Sequence, residues 1–186
     1  TTFNGVAGTT YILRWTISNG VCPVSTDEVQ IRLDAAPTVS AAGGDQIVCG
    51  TSATLGGNLP AIGTGVWTIS AGAGGSVITP SSPTSPFTGV AGTTYTLTWT
   101  ISNGVCAVST DDVQIQLDAS PTVSSAGADQ NICGTSAVLG GNVPVTGTGL
   151  WSVVSGAGGS FVLNTNPATT FNGVAGTTYI LRWTIS

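Results

Sequence analysis

The side chains equipped for chemistry are few: four cysteines (Cys22, Cys49, Cys106 and Cys133), eight acids and five tryptophans. Cysteine can attack carbon, hold a metal or form a disulfide; carboxylates can move protons or bind Ca²⁺; an exposed indole can stack on a sugar. His, Lys and Met are absent, which removes imidazole acid–base chemistry, His metal ligands, Schiff-base lysines and lysine isopeptide crosslinks.

The cysteines obey one spacing. Residues 19–102 laid over 103–186 match without a gap at 55 of 84 positions, so Cys22 corresponds to Cys106 and Cys49 to Cys133. Residues 1–18 recur unchanged as 169–186 while the middle copy, 85–102, differs, which suggests a higher-order unit of two repeats. Within one repeat Cys49 precedes the first core strand, and Cys106 follows an Asn–Gly turn close to the end. They are expected to form a disulfide, which by loop entropy would restrict the unfolded chain by roughly 4 kcal/mol. Such a bond implies an oxidising, extracytoplasmic compartment. Cys22 and Cys133 would then pair with residues outside the sequence. Two buried thiols are the alternative, and a zinc site would be short of ligands with two cysteines per repeat and no histidine.

The other constellations read as structure. Asp111 and Asp112 with Asp45 could gather around Ca²⁺, but they match no 12-residue calcium loop, and Asp112 alternates outward from Val113 as a solvated strand edge does. Gly72-Ala73-Gly74-Gly75 is followed by neither a lysine nor a helix, so it reads as a turn rather than a phosphate cradle. Trp15, Trp67, Trp99, Trp151 and Trp183 would form a sugar platform if exposed, yet Trp99 lies on the apolar face of an alternating strand and reads as core. Nothing activates a Ser or Thr as a nucleophile, and no acid pair has the context of a glycosidase. The expectation is a non-enzyme with no catalytic residue, no cofactor and no metal.

Charged residues are 6% of the chain, against about 25% in ordinary soluble domains. The net charge of −5 argues against nucleic acid as a partner. No apolar run approaches the roughly 20 residues of a membrane-spanning helix.

These residues must be positioned by strands. Thr93 to Ile101 alternates strictly, with Tyr95, Leu97, Trp99 and Ile101 on one face and threonines on the other. Asn103-Gly104 predicts a type I′ hairpin turn into Val105 to Leu117, whose inner face carries Val113, Ile115 and Leu117. Ser52 to Leu55 and Val66 to Ile69 read as shorter strands that add Leu55, Trp67 and Ile69 to the core. No segment has helical periodicity, so the fold class is all-β: an antiparallel sandwich in tandem repeats of the period found above. Boundaries are expected at Asp34-Ala35-Ala36-Pro37 and Asp118-Ala119-Ser120-Pro121. Residues 1–34 would be the closing strands of a preceding repeat, 35–118 a complete repeat, and 119–186 a following repeat without its last strand.

The strings Asp45-Gln46-Ile47-Val48-Cys49-Gly50-Thr51-Ser52, Gly63-Thr64-Gly65-Val66-Trp67 and Trp99-Thr100-Ile101-Ser102-Asn103-Gly104-Val105-Cys106 resemble PKD-like, immunoglobulin-type repeats. Such repeats occur in long surface and gliding-motility adhesins exported by the type IX route. The resemblance covers the whole chain and implies that Cys49 and Cys106 are the staple, Trp67 and Trp99 the core, and the array a cell-surface fibre. Trp67-Thr68-Ile69 departs from the W-D-F-G-D-G turn of the better-known PKD pattern.

The function expected is a structural or adhesive repeat region, extracellular and exported, forming an extended stalk or fibre. Neighbouring repeats of the same chain are its first partners. Like chains in a fibre, or glycans and surfaces bound weakly through many copies, are the further partners weighed.

Overall fold

Period-two alternation becomes strand along the whole chain, and no helix forms in the computed structural model, which describes all 186 residues. Strands β1 (Thr9–Ile17) and β2 (Ser25–Leu33) make an antiparallel hairpin. The complete repeat follows with β3 (Gln46–Cys49), β4 (Ser52–Thr54), β5 (Thr64–Ala71), β6 (Ser76–Val77), β7 (Pro86–Thr88), β8 (Thr93–Ser102) and β9 (Ser109–Asp118). A four-stranded sheet in the order β3-β9-β8-β5 packs on a three-stranded sheet in the order β4-β7-β6. This seven-strand, four-on-three arrangement is an immunoglobulin-like sandwich. All its pairings are antiparallel except β3 with β9.

The alternating faces set the core. Tyr95, Leu97, Trp99, Ile101, Val113, Ile115, Leu117 and Trp67 are at most 2% exposed, and Leu55, Phe87 and Ala42 join them. Ile69 is partly buried against that cluster. Trp67 and Trp99 lie opposite each other in register, ring centroids 5.0 Å apart, and each indole N–H is satisfied, by the Pro83 carbonyl and by Asn58 Oδ1. The Tyr95 hydroxyl accepts from Val90 N–H at 2.8 Å and donates to the Ala73 carbonyl at 2.9 Å, so the buried phenol ties two loops to β8. Gly72 and Gly75 border the Tyr95 ring, which gives the Gly-rich loop its role as a tight turn over an aromatic.

Two local expectations are corrected. No residue other than glycine has positive φ, so Asn103-Gly104 cannot be a type I′ turn, which needs positive φ at both central residues. Instead Gly104 has φ +56°, Cys106 N–H donates to the Asn103 carbonyl, and the connection runs through residues 103–108 before β9 starts at Ser109. Trp15, read as core with the other tryptophans, is 72% exposed, whereas its counterpart Trp99 is fully buried. The segments that cover Trp99, around Gly57 and Gly65, have no counterparts ahead of Trp15 in the sequence.

The chain divides into two units, Thr1–Asp118 and Ala119–Ser186. The hairpin of residues 1–34 thus groups with the complete repeat. The second unit repeats the pattern in β10 (Ser136–Val138), β11 (Gly149–Ser155), β12 (Ser160–Phe161), β13 (Thr170–Asn172) and β14 (Ile180–Ile185), around Leu139, Trp151, Phe171, Trp183 and Ile185. The counterpart of β3 in this unit, residues 130–133, is not a strand.

Gly65 tests how tightly the core is shaped, because a Cβ there would overlap the Trp99 ring while one at Gly44 meets nothing. Gly65→Ala is expected to lose about 2 kcal/mol or more in urea unfolding, and Gly44→Ala to stay within about 0.5 kcal/mol of the parent.

Candidate functional site

The path of the chain through the sandwich fixes where the ends of the repeat lie. After Pro37 the backbone runs the full length of β9 in a constant register. Ser40 N–H donates to Ser109 Oγ at 2.9 Å, Ala42 N–H to Asp111 Oδ2 at 2.7 Å, and Gln114 N–H to Asp45 Oδ1 at 2.8 Å. The ladder proper then begins at Gln46 opposite Ile115 and ends at Cys49 opposite Asp118. Asp45 and Asp111 accordingly serve as backbone acceptors along one strand edge rather than converging, and Asp112 is exposed. Asn58 anchors the same segment to the core: its side chain bridges Ala41 N–H and the Val39 carbonyl, and its Oδ1 also accepts from the Trp99 indole.

The chain thus enters at the pole holding the 103–108 turn and leaves at the pole where β9 ends. Nine steps along β9 separate these poles, about 30 Å at roughly 3.3 Å per residue. Cys106 lies at the first pole and Cys49 at the second. The expected Cys49–Cys106 disulfide is therefore corrected: its Cα atoms would have to stand within about 7 Å. The cause is the parallel direction of β3, which carries Cys49 away from the turn.

The entry pole is a built site. Asp34, just past β2, has a side chain only 8% exposed; Oδ1 pairs with Arg32 Nε at 2.6 Å and Oδ2 accepts from Val105 N–H at 3.2 Å. Asn103 Nδ2 donates to the Ala35 carbonyl at 2.8 Å, and Cys106 Sγ stands 3.5 Å from the Asp34 carbonyl oxygen. Gly104 sits against the carboxylate, where a Cβ would overlap Asp34 Oδ2. Asn103-Gly104, read from sequence as a hairpin turn, and Val105-Cys106, read as the start of the return strand, together form the socket for the end of β2. Asp34 was legible only as a boundary; its recurrence at Asp118, beside a recurring Asn-Gly-Val-Cys, was the signal available.

No protein-family model matches the chain, and no curated protein matches it. Solved structures similar to it include the insect immune protein hemolin, described with a domain arrangement with implications for homophilic adhesion, at 12% identity and TM-score 0.44 over 92% of this chain and 55% of that one. Another is the N-terminal eight Ig domains of Down syndrome cell adhesion molecule isoform 1.30.30, at 13% identity and TM-score 0.44 over 97% of this chain and 31% of that one. The chain spans about half and about a third of those two.

Because Gly104 and the Asp34 carboxylate occupy one space, their substitutions should be non-additive. Gly104→Ala alone is expected to speed amide exchange at Val105 at least tenfold, as is Asp34→Ala. The double variant should exchange no faster than the worse single one, because the clash disappears with the carboxylate.

Proposed function

We propose that the chain is part of a structural, adhesive array of a cell-surface or secreted protein, in which sandwiches follow one another end to end as a stalk or fibre. The observation that carries this reading is the separation of entry and exit at opposite poles of the complete repeat, with the entry pole built to receive Asp34. A module joined in this way gains length with each copy, and near-identical copies suit a spacer that needs reach rather than a unique site. The low charge and the absence of His and Lys agree with a non-catalytic role. The resemblance to gliding-motility and surface adhesin repeats extends the proposal to a bacterial, exported fibre.

A second reading is favoured by the outer face of the four-stranded sheet. There Thr68 pairs with Thr98, Thr98 with Asp112, and Thr100 with Val66 and Thr110, a face rich in hydroxyls beside Gln114 and Gln116. Such a face suits weak contact with glycans, made effective by many copies.

Electron microscopy of the native, full-length protein separates these readings. Threads one domain wide with a regular bead spacing are the expected result. Ordered lateral bundles would make the repeats themselves the assembling element, and a compact particle would overturn the stalk. Retention on polysaccharide columns that rises with repeat number would favour the binding face.

A further inference from the structure

We propose that Cys106 is one half of a disulfide joining successive repeats, its partner being the cysteine of the preceding repeat at the position of Cys49. This rests on the reading that residues 1–34 close a preceding repeat of the same kind. In the complete repeat Cys49 is the parallel partner of Asp118, and Gly50 N–H donates to the Asp118 carbonyl at 2.9 Å. Asp34 is the counterpart of Asp118, one repeat earlier. A preceding repeat built alike sets a cysteine alongside Asp34, with the next glycine's N–H on the Asp34 carbonyl oxygen. Cys106 Sγ already stands 3.5 Å from that same oxygen. Two thiols from different repeats thus converge on one backbone carbonyl.

The geometry favours this pairing over the one inside a repeat. Adjacent strands lie about 4.8 Å apart, so the preceding cysteine would flank Asp34, whose carbonyl oxygen Cys106 Sγ also touches, which brings the two thiols to the same residue, as a disulfide with its Cα atoms about 4.4–6.8 Å apart requires. The two positions within one repeat are separated by the length of β9. Cys106 is also held in place: its N–H donates to the Asn103 carbonyl at 3.2 Å, and Val105 N–H is fixed on Asp34 Oδ2. The bond forms by thiol–disulfide exchange. The two thiols give up two electrons and two protons, and a donor disulfide of the exporting compartment takes up both to become its dithiol. The junction would then be crossed twice, by the peptide chain and by the disulfide, which turns a hinge into a fixed coupling.

The test extends the chain upstream by one full repeat in register, which supplies a second cysteine at the position equivalent to Cys49. One form keeps only that cysteine and Cys106, another keeps only Cys49 and Cys106, and every other cysteine becomes serine. Both are equilibrated in a glutathione redox buffer and their free thiols counted under native conditions. The first form is expected to lose both thiols as a monomer, and the second to keep two per chain. Persistent thiols in the first form, or an intramolecular disulfide in the second, would overturn the proposal. Acrylamide quenching, taken as the difference between the first form and its Trp15→Phe variant, locates the failure. If Trp15 stays accessible, the array reading fails and the disulfide with it; if Trp15 is shielded while the thiols persist, only the disulfide falls.

Discussion

The structure depends on how the outer edge of β9 is occupied. An edge strand presents unpaired N–H and C=O groups, and here the entering chain covers them over the whole length of β9. Where that segment is rich in Ala, Gly and Ser and makes no regular ladder, side chains replace backbone partners: Ser109 and Asp111 reach from β9, and Asp45 reaches back to it. Only over Gln46–Cys49 does parallel pairing proper take over. This seam closes the sheet, orients the entering segment against Asn58 and Trp99, and places the two ends of the repeat at opposite poles.

The small sandwich is filled by a few large rings closely bordered by glycine. Trp67 and Trp99 meet at a tilt across β5 and β8, Phe87 meets Tyr95 edge to face at 4.9 Å, and glycines at 57, 65, 72 and 75 leave room for them. With no helix to supply bulk, aromatic area carries much of the burial. Each polar tip among these rings has a partner, so burial leaves no indole N–H or phenol unsatisfied. The remaining surface is largely hydroxyl and amide, which leaves the few carboxylates free for specific hydrogen-bonding tasks, and Asp34, Asp45 and Asp111 each take one.

Much of the fold was legible. Strict alternation in Thr93–Ile101 and Val113–Leu117 reports a buried face because successive side chains in a strand point to opposite sides, whatever the partner strand is. The short strands β3, β6 and β7 were not read, because such brief segments carry too little periodicity and owe their state to neighbours distant in sequence. The turn after Ser102 was misread because Asn-Gly signals a two-residue reversal only where the flanking strands stay paired up to it. Here pairing stops at Ile101 with Ser109, and the loop between them is committed to the end of β2.

The sequence by itself determined the repeat and its period, the absence of helix, the core face of each long strand and the poverty in catalytic groups. These follow from local periodicity and composition, which need no knowledge of partners. The tertiary structure alone decided where the cysteines lie and what the Asn-Gly turn touches. Spacing along the chain does not say whether a strand enters parallel or antiparallel to the one it joins. In this repeat that direction carries Cys49 to the far end of β9 from Cys106 and leaves Cys106 beside Asp34.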